Sequence, residues 1–282
     1  MMVFYSCVVD SGTVSACQLK IWVSSLRYLA GIPASRICVH VVGENLPVEE
    51  FLREHGVRFV RVERFGDGKF CNKLTQCTSP LFLDSDFVFL TDCDMAFLEP
   101  LDDCANYGAV VGKIVDMPNP PLPILQHLFK ILNVKQPSIL DTLNGKSFSN
   151  NFNGGLYGIP FGFMGQLGKF WQYYSLELLN SVRIKKLLGF YVKHIDQLAF
   201  SLAINYTQIP TINLPLEYNF PLHIFKKSLE NNPTSHLKNR VFNIKAIHYH
   251  NCVNSNFLQI TGNSSIDSAI STVNKMIYKY NL

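Results

Sequence analysis

Two carboxylates, Asp92 and Asp94, follow an apolar run within the stretch FVFLTDCDMAF, residues 87–97. The five residues before Asp92 are typical of a buried strand, so both aspartates are predicted to lie where the chain leaves a sheet. On an extended chain, side chains two positions apart project to the same side, and adjacent carboxylates repel unless a cation lies between them or one of them stays protonated. The spacing therefore leaves two interpretations open, a cation site and a solvated turn at the end of a strand.

A second triplet of this kind, Asp84-Ser85-Asp86, precedes the same apolar run. It stands where the strand begins, and its residue types are typical of a polar turn. Because such triplets are frequent by chance, the motif alone does not identify a site, and its position must decide. We therefore assign ligand chemistry to the later triplet and an ordinary turn to the earlier one.

Further polar residues that suit a ligand site follow in order along the chain. They are Asn72 and Lys73, then Asn153 with Gly154 and Gly155, then Asp196 and Gln197 at the start of an apolar helix, then Asn219, and finally His248 and His250. Each residue also has an ordinary interpretation, as a surface lysine, a tight turn, a helix N-cap or a strand-end histidine.

The composition limits the classes of protein that this chain can belong to. With 282 residues, 48% of them hydrophobic, the chain can bury the core of one large domain, residues 1–282. The net charge of +4 is too small to argue for nucleic acid. A basic cluster near the C-terminus predicts a solvated surface or a contact with phosphate or an anionic membrane. Its members are Lys226, Lys227, His236, Lys238, Arg240 and Lys245.

Targeting signals and cysteine spacing predict the location. The eight cysteines include no CxxC pair and are typical of small buried residues in a reducing compartment. No apolar run has the length of a membrane span, and the N-terminal stretch MMVFYSCVVD lacks the basic region of a signal peptide. The amphipathic segment 124–134 predicts a packed helix, with a membrane-surface helix as the alternative. We expect a cytoplasmic protein with at most peripheral membrane contact.

Strand-like and helical segments alternate over the first hundred residues, which predicts an open, mostly parallel α/β sheet with right-handed crossovers. Ligands bind at the carboxyl ends of strands in such sheets, so the ends after Val9 and Thr91 are favoured. The predicted strands are 3–9, 36–42, 57–65 and 87–91, and the predicted helices are 19–29 and 48–56, with one or two helical turns at 70–77. Later segments predict strands at 151–160 and 243–251, helices at 169–182 and 196–204, and a loop at 216–221.

Taken in order, these motifs resemble those of glycosyltransferases with the GT-A fold, most closely the glycogenin- and galactosyltransferase-like (family 8-like) group. The resemblance extends over nearly the whole chain and includes Asn219-Phe220-Pro221 and His248-Tyr249-His250. It implies a Rossmann-like, mostly parallel central sheet with flanking helices and a smaller acceptor-side subregion. It also implies a nucleotide-binding half at 1–100 and an acceptor-side half at 101–282.

The resemblance further implies metal-dependent transfer of a sugar from a nucleoside-diphosphate sugar to a hydroxyl of a glycan acceptor. Manganese or magnesium would bind Asp92, Asp94 and a late histidine, for which His248 is preferred to His250. The implied donor-contacting positions are Cys7, Val8, Val9, Asp10, Asn72, Lys73, Asp92, Cys93, Asn153, Gly154, Gly155 and Asn219. The glycine- and lysine-rich tail of the family is replaced here by HNCVNSNFLQI, which leaves the phosphate contact on that side open.

The resemblance assigns catalysis to Asp196 and Gln197 and leaves the stereochemistry open. Asp196 is either the general base of an inverting reaction or a residue that orients the sugar while Gln197 faces the anomeric carbon, as in retaining relatives. Two other classes are weighed against a transferase. A phosphatase of the haloacid dehalogenase type also places DxD after a strand, although Ala96 stands where those enzymes carry Thr or Val. A descendant of the fold that binds sugar without catalysis is the second.

Overall fold

A computed structural model of the chain describes residues 1–10, 12–225, 237, 240–250, 253–254 and 257–282. The strands are β1 (Val3–Val9), β2 (Ile37–Val42), β3 (Arg58–Val62), β4 (Phe87–Thr91), β5 (Met95–Phe97), β6 (Val110–Ile114), β7 (Ile139–Thr142), β8 (Gly145–Phe148), β9 (Phe152–Pro160), β10 (Thr211–Asn213), β11 (Phe220–Pro221), β12 (Ala246–His248), β13 (Val253–Asn254) and β14 (Phe257–Leu258). The α-helices are α1 (Thr13–Tyr28), α2 (Leu46–Glu54), α3 (Leu122–Ile131), α4 (Phe161–Asn180), α5 (Val182–Leu188), α6 (Ile195–Thr207) and α7 (Ser264–Tyr280). Short 3₁₀ helices cover Ala34–Arg36, Phe70–Thr78, Pro80–Phe82, Asp102–Tyr107, Gly189–His194, Leu216–Tyr218 and Leu222–Phe225.

The central sheet has seven strands in the order β10-β6-β9-β4-β1-β2-β3. All neighbouring strands are parallel except β9, which runs antiparallel to both β4 and β6. The predicted α/β class with a mostly parallel sheet is confirmed, and strands from both predicted halves of the chain share this sheet. The chain moves outward through β2 and β3 and then returns to place β4 on the other side of β1. Ligands bind at such a reversal of strand order, at the carboxyl ends of β1 and β4.

The central strands are apolar along their whole length because the sheet is covered on both faces. Every residue of β4 is buried, and β1 is buried at all positions but one. Tyr5 belongs to the core cluster that contains Trp22 of α1, whereas Phe4 belongs to the one that contains Trp171 of α4 and Phe200 of α6. Alternate residues of β1 therefore pack on opposite faces, which fixes the register and holds the strand ends in place.

A second sheet, in the order β11-β12-β5, joins the late part of the chain to the strand that follows Asp94. In the antiparallel pair of β12 and β5, His248 stands opposite Met95. The prediction of a loop at 216–221 was wrong in part, because β11 within it pairs with β12 and gains ladder hydrogen bonds. The late strand is also shorter than predicted, since His250 has a left-handed backbone (φ 48°) that extended strands do not adopt.

Several local predictions are confirmed, and others fall outside the described residues. Asp86 lies in the turn that precedes β4, and a 3₁₀ helix covers the predicted helical turns at 70–77. The first helix begins at Thr13, earlier than the pattern indicated. Within the basic cluster, Lys226, Lys227, His236 and Lys238 lie outside the described residues, whereas Arg240 and Lys245 form ion pairs with Glu217 and Glu99. In the described ranges, no helix is both long and apolar enough to cross a bilayer.

Candidate metal centre and donor cleft

A cavity of about 390 Å³ opens at the carboxyl ends of β1 and β4. The strand order of the sheet reverses at this point, and the sequence predicted a ligand site at these strand ends. Its lining residues are Val8, Asp10, Ser15, Gln18, Lys69, Phe70, Asn72, Lys73, Thr91, Asp92, Cys93, Asp94 and Asp196. The predicted residues from four separate parts of the chain therefore converge on one cleft.

Asp94 and the two late histidines form a cluster of possible metal ligands. One ligand atom from each of Asp94, His248 and His250 lies within 4.8 Å of the others. Nε2 of His248 is 3.2 Å from Oδ1 of Asp94, and Nδ1 of His250 is 3.5 Å from Oδ2 of the same carboxylate. Burial alone would raise the pKa of the Asp94 carboxyl, but the two imidazoles in their protonated form, in which a proton occupies the place a metal ion would take, outweigh it and hold that pKa well below its usual range. Asp94 is therefore an anion at neutral pH.

The residues present fit a divalent cation, because His248 directs an unused lone pair at carboxylates. Its Nδ1 is 3.1 Å from Oδ1 of Asn219, an acceptor, so Nδ1 carries the proton and Nε2 the lone pair. Nε2 is buried and has no hydrogen-bond partner among the described residues, yet it lies 3.9 Å from Oδ2 of Asp92 as well as near Asp94. A buried lone pair that faces two carboxylates is unfavourable, and a cation bound among these three groups would interact favourably with all of them. Carboxylate oxygens and imidazole nitrogens are both common ligands of divalent cations.

A chain of buried hydrogen bonds sets the tautomer of His248. Asp116 is an acceptor, so Asn153 turns its amide nitrogen towards it, at 3.1 Å from Oδ2. The amide oxygen of Asn153 then accepts from the backbone N–H of Gly155 (2.9 Å) and from the amide of Asn219 (3.2 Å). This leaves the oxygen of Asn219 to face His248. Each amide orientation therefore determines the next one, and the orientation of Asn219 determines the tautomer of His248, in which Nε2 has the lone pair.

The series begins at a buried ion pair between Lys113, in β6, and Asp116, just after it. Both side chains are almost wholly buried, and they hydrogen-bond to each other. Burial lowers the pKa of Lys113, although Asp116 acts in the opposite direction. Breaking a buried pair leaves an uncompensated charge, so each partner keeps the other in place. The carboxyl end of β6 thus helps to orient His248, a candidate metal ligand, through the hydrogen bonds of Asn153 and Asn219.

Replacing Asn219 by leucine is expected to weaken manganese binding roughly 10- to 100-fold. The physical reason is that Nδ1 of His248 loses its acceptor, so neither the tautomer nor the ring orientation is fixed. Isothermal titration calorimetry with Mn²⁺ would measure the change. Asn205→Leu is the matched control, since among the residues that the structure describes the amide of Asn205 bonds only to the Ser201 carbonyl within α6. An unchanged manganese affinity in folded Asn219→Leu protein would contradict the positioning role.

Asp92 is held by a buried lysine rather than by the histidines. Nζ of Lys73 is 2.5 Å from Oδ1 of Asp92 and donates to the carbonyl oxygen of Gly154. Burial acts to lower the pKa of Lys73, but the carboxylates of Asp92 and Asp196 outweigh it and raise that pKa. Lys73 is therefore a permanent cation at the floor of the cleft, next to the candidate metal ligands.

The two predicted catalytic residues face different surroundings. Asp196 lines the cavity and is 8% exposed, and burial raises its pKa to about 6 despite the opposing charge of Lys73. Gln197 is outside the cavity lining; its oxygen accepts from the N–H of Gly154 (3.2 Å) and its nitrogen donates to Asn151 (3.2 Å). The N-cap interpretation of Asp196 is wrong, because His194 occupies that position and no side chain caps α6.

A close contact near the start of β9 requires Gly155, whereas a side chain at Gly154 would make ordinary contacts with charged groups. A Cβ added to Gly154 would lie 3.6 to 3.7 Å from the charged atoms of Asp196 and Lys73. One added to Gly155 would overlap the imidazole of His248. The carbonyl of Gly155 also accepts from the N–H of Asp92 at 3.0 Å, which aligns β9 with the metal ligands. The register of β9 against β6 shifts between Phe152 and Tyr157, as the bulge interpretation predicted, and Gly155 leaves room for the imidazole of His248.

The predicted nucleotide-side residues divide into lining and supporting groups. Val8 and Asp10 line the cavity, whereas Cys7 and Val9 are fully buried in the core. Arg64 donates to Asp10 at 2.9 Å. Asn72 reaches the cavity, but its amide also accepts from the Phe65 N–H and donates to the Gly68 carbonyl, so it holds the preceding loop. Asn219 is fully buried and touches the site only through His248 and Asn153.

Sequence reasoning missed several residues of this site. Asp116 stands just beyond the carboxyl end of β6, the same kind of position that drew attention to Asp92, so the strand-end rule could have found it. Tyr157 gave no signal, yet its hydroxyl is buried, has no partner within the described part of the chain, and belongs to a ring that lies 5.5 Å from Nζ of Lys73. His223, whose ring centroid is 4.3 Å from that of His250, was likewise not predicted.

Comparison with proteins of known structure identifies the fold of this chain. No protein-family model and no curated protein matches the chain. The galactosyltransferase LgtC, solved with donor and acceptor sugar analogs, is similar with a TM-score of 0.59 at 13% identity, over 96% of this chain and 95% of LgtC. Mouse xyloside xylosyltransferase 1, in its apo form, has a TM-score of 0.53 at 13% identity, over 87% of this chain and 97% of that one.

The bifunctional glycosyltransferase WbbM, also in an apo structure, has a TM-score of 0.55 at 12% identity. The match covers 99% of this chain and 51% of WbbM, so this chain spans about half the length of that protein. At these identities the likeness concerns the fold. The predicted GT-A fold is confirmed.

Proposed function

We propose that this chain is a metal-dependent glycosyltransferase that moves a sugar from a nucleoside-diphosphate sugar to a hydroxyl of a glycan acceptor. The observation that carries the proposal is the buried lone pair of His248, which faces Asp94 and Asp92 at the reversal point of a GT-A sheet. The three similar structures are a galactosyltransferase, a xylosyltransferase and a bifunctional glycosyltransferase, which supports the same reaction class here.

The cation would be held by Asp94 and His248, with Asp92 and His250 as the adjoining ligands. When bound, it would supply positive charge to the diphosphate of the donor, and two imidazoles favour manganese over magnesium. Lys73 adds a positive charge beside Asp92 and so reduces the negative charge that phosphate oxygens would meet, while the bound cation would make this end of the cleft attractive to them. The dominant role of the protein at this end is therefore to bind and neutralise the leaving nucleoside diphosphate.

The base and ribose of the donor would lie against the β1 end of the cleft. Val8 offers an apolar contact there and Asp10 a carboxylate that can accept from ribose hydroxyls. The side chains of Cys93 and Asn72 complete this part of the lining. We accordingly assign nucleotide binding to residues 1–100 and the acceptor side to residues 101–282 of a single catalytic domain.

Asp196 is the residue that we assign to the reacting end of the donor. It lies across the cleft from the metal ligands and has a pKa raised to about 6, which suits a group that exchanges a proton near neutral pH. Gln197 holds the N–H of Gly154 and acts on the sugar through the position of that backbone. In a retaining reaction Asp196 would instead orient the sugar.

The phosphatase alternative gains no support from the geometry. A nucleophilic aspartate must be free to attack, but Asp92 is paired with Lys73 and Asp94 faces two imidazoles. A binding protein without catalysis would have no use for a buried carboxylate with a raised pKa, since that group destabilises the fold. The paired charges and Asp196 together favour an enzyme.

A thermal-shift screen of nucleoside-diphosphate sugars, with and without Mn²⁺, tests this proposal. A ligand that binds only the folded state raises the melting temperature by mass action, so the true donor is expected to do so only when the metal is present. The selected donor is then supplied with Mn²⁺, and release of the nucleoside diphosphate is measured by chromatography. If no nucleotide sugar stabilises the protein in either condition, or if release is unaffected by chelation, the proposal is wrong.

A further inference from the structure

Helix α5 presents an outward face that combines positive charge with exposed apolar side chains. Ile184 and Leu188, one turn apart, point into the core. At 100° per residue, this places Val182 and Lys186 on the opposite side of the helix, with Arg183 and Lys185 on its flanks. These four are exposed, and Val182 retains 76% of its surface.

The 3₁₀ turn that follows extends this surface. Phe190 is 74% exposed, and Nζ of Lys193 lies 3.8 Å from the centroid of its ring. We call the exposed side chains of Val182, Arg183, Lys185, Lys186, Phe190 and Lys193 the α5 surface. A single exposed aromatic ring is unremarkable, but one set among unpaired lysines beside an exposed valine on the same short segment indicates a contact.

The charge of the α5 surface is not balanced within its own segment, and the acidic residues that flank this segment are the exposed Glu177 of α4 and the buried Asp196. Residues 178–195 contain no Asp or Glu, and none of the four basic side chains forms an ion pair with a residue that the structure describes. Helix α3 packs against α5 and adds exposed Lys130, followed by exposed Lys135, in a stretch (117–140) that also lacks acidic residues. The six basic residues exceed the net charge of +4 of the whole chain, so positive charge is concentrated on this side.

We propose that the α5 surface binds an anionic lipid bilayer. Lysine and arginine are attracted to acidic headgroups, whereas Val182 and Phe190 gain by entering the boundary between headgroups and acyl chains. A soluble polyanion would use the charges and leave the two apolar side chains in water, so their presence favours a membrane. The inference concerns a different segment from the C-terminal basic cluster and is independent of the proposed glycosyl transfer.

The position of the α5 surface in the fold determines which part of the protein a bound bilayer would contact. The 3₁₀ helix Gly189–His194, which carries Phe190 and Lys193, leads directly into the first turn of α6 and hence to Asp196 in the cleft. A bilayer held at this surface would therefore contact the segment that leads into α6. This consequence, unlike the binding itself, rests on the proposed glycosyl transfer: an acceptor attached to a lipid is the class of substrate that such a contact would bring to the enzyme.

Co-sedimentation with vesicles tests the proposal. Wild-type protein is expected to bind vesicles of equal parts phosphatidylglycerol and phosphatidylcholine at low salt and to stay in solution with phosphatidylcholine alone. Lys185→Glu/Lys186→Glu should weaken binding by at least roughly tenfold, because two attractive charges become repulsive. Phe190→Ser should weaken it several-fold at unchanged charge. Melting temperatures of all variants confirm that they are folded.

A matched control separates this surface from net charge. Lys275→Glu/Lys279→Glu makes the same charge change on exposed positions of α7 and should leave vesicle binding unaltered. Absence of binding to the acidic vesicles overturns the proposal, as does an equal loss in the α7 variant. If soluble dextran sulfate competes fully and Phe190→Ser binds vesicles like the wild type, the surface recognises polyanions rather than membranes, and the proposal is wrong.

Discussion

Asp94→Asn is expected to abolish manganese-dependent binding of the donor and to lower turnover by on the order of 100-fold or more. The carboxylate of Asp94 faces both imidazoles of the candidate centre, and an amide in its place carries no charge and offers one oxygen only. The fold should persist, because the backbone carbonyl of Asp94 still accepts from the N–H of Tyr249 at 3.1 Å. Calorimetry with Mn²⁺, and then with nucleoside diphosphate in its presence, would measure the loss.

Asp94 is a better probe than Asp92 because of their different partners. Asp92 is the close partner of Lys73, which is only 6% exposed, so Asp92→Asn would leave a buried ammonium group with weaker compensation. That variant would mix loss of stability with loss of the metal. Asp84→Asn is the matched control for Asp94→Asn, since the exposed Asp84 lies before β4 and outside the cleft lining. Equal manganese affinity in the Asp94 variant and in this control would remove Asp94 from the centre.

Strand ends could be read from the sequence because burial is a local pattern. The run before Asp92 is apolar at every position, as a strand covered on both faces must be, and this placed its carboxyl end correctly. The apolar run before Asp10 predicted the carboxyl end of β1 in the same way. The cleft between these two strand ends was therefore predictable without any knowledge of long-range contacts, although its other walls were not.

Contacts between distant segments could not be derived from local patterns. His248 reaches Asp94 only because β12 pairs antiparallel with β5, and nothing in either short strand encodes that partner. The resemblance to a family supplied this residue, but it did not supply the hydrogen bonds from Asp116 to Asn219 that orient it. Nor could the sequence show that Gln197 turns towards the backbone of Gly154, since its direction depends on β9.

Asp196→Asn is expected to lower turnover and raise stability at the same time. If Asp196 is the general base, loss of the carboxylate costs a factor of about 10² to 10⁴ in turnover with little change in donor affinity. Its pKa is raised from 3.8 to about 6, first by burial, so the folded protein holds a proton there that the unfolded chain releases. Stability therefore falls as pH rises from about 4 to about 6, and by linkage the cost at neutral pH is up to roughly 3 kcal/mol.

The asparagine variant escapes that cost, because an amide has no charge to desolvate. Urea unfolding should show that wild type and variant are equally stable below about pH 4. At pH 7.5 the variant should be more stable by at most about 3 kcal/mol. The attraction between Lys73 and the Asp196 carboxylate, which the variant lacks, makes this difference smaller. If Asp196 orients the sugar, affinity for the intact donor should fall while affinity for the nucleoside diphosphate stays constant. Normal turnover and normal donor affinity would remove Asp196 from the site, and a variant that is less stable at pH 7.5 than the wild type would show that its carboxylate stabilises the fold.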